Sequence, residues 1–240
     1  MDIVELTDNR VQRNSLEILN GINWKIKKSE HWALIGPNGA GKTTLLKIIS
    51  GNLWPSCGKV SVLGQEFGNA DLRELKKKIG WVSSYLAEKI PEREKAIDVV
   101  LSGKHSSFGL YDLINDNDRR EAEELLKFMG CLNAADRQFK IISQGERQKV
   151  LIARALMAKP LILILDEPCS GLDITSRKNV LAAVSGICKK EKAAVIYSTH
   201  HFEEIVPEIE NIFMIKEGKI FMQGKSKKIL KKKNIEKLFS

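Results

Sequence analysis

Short apolar runs alternate along the chain with longer segments in which apolar residues recur at helical spacing. Four runs contain almost no polar position: residues 32–35, 79–82, 161–165 and 194–198. Such runs are typical of strands that are covered on both faces of a parallel sheet. Four shorter runs predict flanking strands: residues 24–26, 60–63, 212–215 and 220–222. The last two flank Glu217-Gly218, a hairpin-turn signal, so the pattern predicts an α/β fold with a mixed sheet.

The middle of the chain shows helical spacing without a clear strand pattern. Three helices are predicted there: residues 96–102, 116–129 and 143–158. We therefore predict that residues 85–159 form a helical subdomain, inserted into a core made of residues 1–84 and 160–224. No internal repeat is visible at this scale. Residues 1–224 are thus expected to form one domain, followed by a tail at residues 225–240.

The composition is that of an ordinary globular protein, with 43% hydrophobic and 29% charged residues. No segment approaches the roughly 20 consecutive apolar residues that cross a bilayer, and the N-terminus lacks the apolar core of a signal peptide. We therefore expect a cytoplasmic protein that reaches a membrane only through a partner. The four cysteines are too scattered for metal-ligand or redox spacing, so they are expected to be reduced thiols.

The net charge of +9 could indicate an anionic partner such as nucleic acid or a lipid surface. Most of this excess is local, because residues 225–240 hold seven lysines and one glutamate. A solvated helical tail is the simpler interpretation, and contact with a membrane surface or a partner is the alternative. The alternating lysines and apolar residues of the tail fit either an amphipathic helix or a frayed end.

A phosphate-binding loop follows the first buried run. It consists of eight residues: Gly36, Pro37, Asn38, Gly39, Ala40, Gly41, Lys42 and Thr43. The loop lies between a predicted strand and a helical run, which is the context that this pattern requires. Its glycines let backbone N–H groups approach an anion, and the following helix, with Thr44, adds the positive end of its dipole. Lys42 would reach the β- and γ-phosphates and Thr43 would bind Mg²⁺, so the loop predicts MgATP binding.

Two carboxylates, Asp166 and Glu167, follow the most apolar strand. Ligands of parallel sheets lie off the carboxyl ends of the strands, where the phosphate loop also lies. Asp166 is therefore expected to hold Mg²⁺, directly or through water. Glu167 is expected to point the other way on an extended chain and to polarise the attacking water as a general base. The alternative is a pair of acids that only caps the helix near Pro168.

Three further segments resemble motifs of the ATP-binding cassette (ABC) ATPases and occur in the order of that family. Residues 143–148, SQGERQ, resemble its signature motif, residues 170–173, SGLD, its D-loop, and residues 198–200, STH, its switch histidine. With the phosphate loop and the acid pair, these segments cover the chain up to the tail. The chain is thus similar to ABC ATPases, and this resemblance implies a P-loop NTPase core with an inserted helical subdomain.

The resemblance implies a head-to-tail pair of cassettes, a homodimer or two related chains, that encloses two ATP molecules. Each ATP would lie on one phosphate loop and be capped by the partner's signature helix and D-loop: Ser143, Gln144, Gly145, Glu146 and Asp173. Ser143 and Gly145 stand at a helix start, which is an anion site in its own right. His200 would contact the γ-phosphate and hold the attacking water with Glu167, and Lys42 completes the implied catalytic set. For the neighbouring His201 we favour no catalytic role.

Four positions depart from the usual pattern of the family, and the first is Gln144, which stands where the signature usually has one of its two glycines. Glu146 replaces a glutamine, and with Ser143 it forms a capping-box pattern that stabilises a helix start by about 1 kcal/mol. Ser84 replaces the Q-loop glutamine, and its shorter side chain would reach Mg²⁺ through water. Arg13 replaces the aromatic residue that stacks on adenine, although a guanidinium also stacks on a base.

The resemblance implies an ATP-hydrolysing subunit that drives transport through a separate membrane permease. Residues 166–173 and 109–112 are similar to a single-cassette group of molybdate-type or other metal importers. Residues 84–91 are expected to contact the permease, because the pattern switches there from core to helical. The alternative is a soluble ABC ATPase that acts on nucleic acid, ribosomes or repair complexes. The basic tail favours this alternative, and the single cassette disfavours it.

Overall fold

The structure is a computed structural model that describes residues 1–69, 71–91, 93–105, 114–190 and 192–240. The side chains of Ser84 and His105 lie outside the described part, as do residues 109–112, which carried part of the predicted similarity. The strands are β1 Asp2–Arg13, β2 Leu16–Lys27, β3 Trp32–Ile35, β4 Cys57–Val62, β5 Gln65–Glu66, β6 Ile79–Val82, β7 Ile162–Asp166, β8 Ala194–Thr199, β9 Asn211–Lys216 and β10 Lys219–Lys225. The α-helices are α1 Lys42–Ile49, α2 Leu72–Lys77, α3 Ser84–Ala87, α4 Ala96–Ser102, α5 Asp116–Phe128, α6 Gln144–Met157, α7 Ile174–Lys190, α8 Ser226–Ile229 and α9 Lys232–Phe239.

A six-stranded mixed sheet forms the core, with the strand order β10-β9-β3-β8-β7-β6. The pairs from β9 through β3, β8 and β7 to β6 are parallel, whereas β10 runs antiparallel to β9. The predicted buried runs form β3, β6, β7 and β8, and the residues of β7 are all buried. This sheet confirms the predicted mixed α/β fold. Its parallel strands end at one edge, where loops from several strands meet.

A second sheet, antiparallel with the order β2-β1-β4-β5, covers one face of the core. For this sheet the sequence pattern predicted residues 24–26, near the end of β2, and the second half of β4, and it missed β1 altogether. Asp8, Asn14 and Ser15 have positive φ angles of 46°, 49° and 63°, and the β1–β2 register shifts at several points. These irregularities interrupt the alternation by which a half-buried strand is recognised. The adjacent pair Asn14-Ser15 forms the turn that joins the two strands.

Two apolar clusters pack against the two faces of the six-stranded sheet. One lies between the sheets and contains α1 together with Trp24, Trp32 and Phe213. The other joins the opposite face to α4, α5, α6 and α7. Helix α4 has the predicted bounds, α5 ends one residue early, and Ser143 and Ala158 are the caps of α6. The helices thus occupy the segment where the sequence pattern predicted them.

The basic tail folds back onto the core as helices α8 and α9. Ile229 is buried and Leu238 is 0% exposed, and both belong to the apolar cluster that contains α4 to α7, together with two residues of β9. Lys216 Nζ donates a hydrogen bond of 3.1 Å to the carbonyl of Lys237. The tail is therefore a docked amphipathic element, which decides against a frayed end. Within the described ranges, no helix is both long and apolar enough to cross a membrane.

Candidate nucleotide site

The phosphate loop connects β3 to α1 at the carboxyl edge of the six-stranded sheet. Gly41 caps α1 with φ 103°, and Gly39 has φ 78°, both in the left-handed region that favours glycine. A Cβ on Gly36 would lie 2.3 Å from the carbonyl oxygen of Ile215. The glycines thus serve two needs, since two of them supply the turn and Gly36 permits close packing against β9.

The tip of the β9–β10 hairpin braces this loop. Glu217 and Gly218 have φ angles of 49° and 72°, which confirms the hairpin turn predicted from the sequence. The N–H of Gly218 donates to the carbonyl of Ala40 at 3.1 Å, and the Gly218 carbonyl accepts from Asn20 N–H at 2.9 Å. These bonds hold the loop between the hairpin and strand β2. The sequence motif alone gave no indication of this support.

Lys42 lies at the first position of α1 and is only 5% exposed. Its Nζ donates to the carbonyl oxygens of Gly36 at 2.8 Å and Pro37 at 3.1 Å. The same ammonium lies 3.2 Å from Oε1 of Glu167. A buried ammonium needs such partners, and here they place it across the concave face of the loop. Lys42 and Glu167, assigned separately from two motifs, are thereby brought together.

Thr43 and Asp166 form a second contact between these motifs. Thr43 Oγ1 donates to Asp166 Oδ2 at 3.0 Å, whereas Asp166 Oδ1 is buried and has no hydrogen-bond partner among the described residues. Burial raises the pKa of Asp166, and the hydrogen bond from Thr43 opposes that rise. A buried carboxylate oxygen without a donor, beside a hydroxyl, is a donor set that suits a hard divalent cation.

The sequence analysis expected Glu167 to continue the extended chain of β7, but the backbone turns at this residue. Its φ is 50°, in the left-handed region, and its N–H donates to the Ser198 carbonyl at 3.0 Å. The backbone turns because the chain leaves β7 while remaining paired to β8. As a result, Oε1 of Glu167 lies 3.4 Å from Nδ1 of His200 as well as near Lys42. Lys42 and His200 therefore both contact Oε1 of Glu167, so the three residues implied in catalysis lie together.

The signature segment does not line the phosphate-loop cavity, although Gln144 lines a second, neighbouring cavity together with Glu167. The cavity beside the phosphate loop is lined by Ile18, Asn38, Gly39, Gly41, Lys42, Thr43, Thr44 and Glu167. Its lining does not include Ser143, Gly145, Glu146 or Asp173. Helix α6 begins elsewhere, with Glu146 N–H donating to Ser143 Oγ at 3.2 Å and Ser143 N–H donating to Glu146 Oε2 at 2.9 Å. This is the capping box that the sequence predicted.

The signature segment instead contacts the D-loop of the same chain. Gln144 Nε2 lies 3.4 Å from the carbonyl of Ser170, and a Cβ on Gly145 would lie 2.8 Å from Ser176 Oγ. Asp173 accepts bonds from Ser176 N–H at 2.9 Å and Ser176 Oγ at 2.6 Å, which hold the start of α7. The predicted site residues thus divide into two groups on one chain.

Two predicted site residues, Arg13 and Ser84, are not assigned to either group, and one unpredicted residue, Ile18, lines the phosphate-loop cavity. Arg13 is exposed at the end of β1, where it pairs with Leu16, and it does not line the phosphate cavity. Ile18 does line that cavity, because β2 packs so closely on Gly41 that an added Cβ would lie 3.1 Å from the Ile18 carbonyl. No motif marks Ile18 in the sequence, since the contact arises from packing. The side chain of Ser84 lies outside the described part.

Comparison with known proteins places this geometry in a family. The sequence model of the ABC transporter family matches residues 19–170. The chain is 43% identical over 230 residues to the ABC transporter ATP-binding protein YlmA of Bacillus subtilis, covering 95% of this chain and 87% of YlmA.

Solved structures agree with the sequence comparison. CbiO1 of Clostridium perfringens, described as part of the ABC transporter complex CbiONQ, superposes with a TM-score of 0.84 at 26% identity, covering 98% of this chain and 92% of CbiO1. A dimeric post-hydrolysis state of the ATP-binding cassette MJ0796, bound to ADP and Pi, superposes with a TM-score of 0.79 at 25% identity over 92% and 98% of the two chains. The chain therefore belongs to the ABC transporter family, as an ATP-hydrolysing nucleotide-binding subunit.

Proposed function

We propose that two copies of the chain, or one copy and a related cassette, close head to tail around two MgATP molecules and drive a separate membrane permease. The division of the site carries this proposal. The phosphate loop and Glu167 form one group. The start of α6 and the D-loop contact each other and form a second group, which lines a cavity beside Glu167 but not the phosphate-loop cavity itself. A head-to-tail pair brings the second group of each member to the first group of the other.

Within each half, this chain's residues bind and orient the nucleotide. Backbone N–H groups of residues 38–43 and the N-terminus of α1 cradle the phosphates, and Lys42 neutralises them. Thr43 and Asp166 would hold Mg²⁺ through the hydroxyl and the carboxylate described above. When bound, Mg²⁺ supplies positive charge that offsets the charge developing on the transferred phosphoryl group. Ser84 would reach the ion through water, and Arg13, which is exposed outside the phosphate-loop cavity, would stack on an adenine that extends beyond that cavity.

Glu167 and His200 prepare the attacking water. Glu167 accepts its proton as the general base, a role that is worth about 10²–10⁴ in rate. His200, 3.4 Å from Glu167 Oε1, orients the carboxylate and the γ-phosphate. From the partner, Ser143 and the Gly145 N–H donate to the γ-phosphate, and Gln144, Glu146 and Asp173 line the closed interface.

The permease contact is assigned to the junction of the core and the helical subdomain, residues 85–159. A cavity there is lined by core residues such as Asn52 and Trp81 and by helical residues such as Leu86 and Ala155. Tyr85, at the start of this junction, is 56% exposed. The protein would thus lie on the cytoplasmic face of a membrane through its permease. The relative CbiO1 is itself described as part of a transporter complex.

Glu167→Gln tests the ATP sandwich. The substitution removes the base and keeps the size of the side chain, so we expect turnover to fall by about 10²–10⁴ while ATP binding persists. With MgATP the variant should elute as a dimer in gel filtration, and with MgADP as a monomer. The control is Glu203→Gln, whose carboxylate is exposed. Parental turnover in Glu167→Gln would show that another group is the base, and a monomer with MgATP would contradict the sandwich.

Cysteine crosslinking tests the permease contact. Cys57 is exposed and is first replaced by serine to leave buried thiols only. We expect Tyr85→Cys in that background to crosslink to a membrane protein of the native cells, whereas Leu16→Cys, at an even more exposed position at the start of β2, should not. Equal labelling at both positions, or at neither, would contradict the assigned surface.

A further inference from the structure

A buried carboxylate, Glu204, joins the loop that carries His200 to the segment that follows Glu167. Glu204 is 3% exposed and lies in the 3₁₀ turn Phe202–Glu204, just after the two histidines. A carboxylate so far from water is costly unless it is paired and hydrogen-bonded. Its partners therefore show which parts of the fold it holds together.

One oxygen of Glu204 holds the end of β8. Oε2 accepts a hydrogen bond of 2.7 Å from the Thr199 hydroxyl and one of 3.1 Å from the Tyr197 hydroxyl. Thr199 Oγ1 also accepts from the N–H of His201 at 2.9 Å. That N–H belongs to the peptide bond between His200 and His201, so Thr199 fixes the backbone immediately after the His200 ring.

The other connections of Glu204 run toward the D-loop. Its Oε1 lies 3.5 Å from Arg177 Nε, in the first turn of α7, and the Arg177 N–H donates to the Asp173 carbonyl at 2.9 Å. The hydroxyl of Tyr197 lies 3.5 Å from Sγ of Cys169, which directly precedes the D-loop. Burial raises the pKa of Cys169 to about 11, so the thiol stays neutral. Glu204 thus reaches the residues that flank the D-loop, through Tyr197 on one side and through an ion pair with Arg177, without a hydrogen bond, on the other.

We propose that Glu204 is a positioning residue for ATP hydrolysis, which holds His200 against Glu167 and links that contact to the D-loop. The inference rests on the roles proposed above for His200 and Glu167. Their contact of 3.4 Å is near the limit of a hydrogen bond, so a small shift of the histidine loop breaks it. Both the histidine loop and α7 contact the carboxylate of Glu204. A displacement of the D-loop, which leads into α7, therefore moves the backbone of His200 as well.

The test compares Glu204→Gln with Glu203→Gln. The glutamine keeps one oxygen that accepts from Thr199 and Tyr197. Its NH₂ group faces Arg177, and because both groups are hydrogen-bond donors, the favourable contact with Arg177 is lost. In single-turnover hydrolysis of MgATP with enzyme in excess, we expect a rate about tenfold below the parent. The nucleotide Kd should stay within about twofold, because the phosphate loop is untouched. Glu203→Gln, the same charge change at an exposed neighbour, should match the parent in both.

Combination with His200→Ala separates a positioning role from a general loss of structure. If Glu204 acts through His200, adding Glu204→Gln to His200→Ala leaves the residual rate unchanged within about twofold. A further tenfold loss in the double variant, or a parental rate for Glu204→Gln alone, overturns the inference while the proposed function stands. A parental rate for His200→Ala overturns both. If Glu204→Gln lowers the thermal midpoint strongly, Tyr197→Phe, which removes one donor and keeps the ring, is carried through the same comparison.

Discussion

Glu146 holds the hydroxyl that we propose for the partner's γ-phosphate. Ser143 Oγ donates to Glu146 Oε2 at 2.8 Å, and Oε1 of the same carboxylate lies 3.6 Å from Arg137. The hydrogen bond from the Ser143 backbone is the largest cause that lowers the pKa of Glu146, so the carboxylate is ionised near neutral pH. A hydroxyl has a single proton to donate. Ser143 must therefore release Glu146 before it donates to a phosphate.

Glu146→Gln should consequently tighten the ATP-dependent dimer. A hydrogen bond to a charged acceptor is worth about 1.5–3 kcal/mol and a neutral one about 0.5–1.5, so the hold on Ser143 weakens by about 1 kcal/mol. Two sites per dimer give about 2 kcal/mol, which is roughly a 30-fold lower dimer Kd. The monomer itself should lose about 0.5–1 kcal/mol of unfolding free energy, because the capping box of α6 is weaker.

The dimer Kd is measured by sedimentation velocity at saturating MgATP in the Glu167→Gln background. Glu124→Gln, an exposed carboxylate in the middle of α5, is the control and should leave the dimer Kd unchanged. A Glu146→Gln dimer that is no tighter than its parent refutes the reasoning. It would show that Ser143 donates to phosphate without leaving Glu146, or does not donate to it at all.

Two further predictions concern stability. Nδ1 of His31 accepts a hydrogen bond of 3.2 Å from the N–H of Val195, and burial lowers the pKa of His31 below its ordinary value of 6.5. The unfolded state therefore binds more protons than the folded state near and below that pH. Urea unfolding should show a free energy of unfolding that falls as the pH drops below about 6.5. Leu238→Ala should cost about 2–5 kcal/mol of unfolding free energy, because Leu238 is fully buried against the core.

Controls for these predictions are available in the chain. His31→Asn should flatten the dependence of stability on pH between 5 and 7, since the titrating group is gone; an unchanged slope would assign the dependence to other residues. Phe239→Ala, at the exposed neighbour of Leu238, should change the unfolding free energy by less than about 1 kcal/mol. Equal losses for the two tail variants would contradict the docking of α9.

Much of the fold could be predicted because the buried parallel strands carry their signal locally. Strands β3 and β6 lack polar side chains, and β7 and β8 are apolar until their carboxyl ends, so each is recognisable without knowledge of its neighbours. Strand β1 could not be recognised in this way. Its alternation is broken by register shifts against β2, the next strand along the chain, and against β4, which is distant in sequence. The tail was ambiguous for a related reason, since two buried apolar residues decide its docking.

The candidate site shows the same division. Contiguous motifs identified Lys42, Thr43 and Asp166 because phosphate and metal chemistry restricts residue types at fixed spacing. The contact of Lys42 with Glu167 depends on the turn that places Glu167 at positive φ, which no local pattern indicated. Ile18 and the bracing hairpin come from packing between distant elements. Residues of special chemistry were therefore predictable, whereas the groups that orient them required the structure.

The positive φ of Glu167 has a consequence for laboratory evolution. The left-handed conformation destabilises most non-glycine residues by about 1–2 kcal/mol. Glycine adopts this conformation at little cost, and asparagine at a smaller cost than most other residues. A selection for heat resistance alone would favour both replacements, and each lacks the carboxylate. Stabilised descendants of this chain should thus be screened for ATP turnover at every round, because at this position a residue that raises stability removes the carboxylate needed for activity.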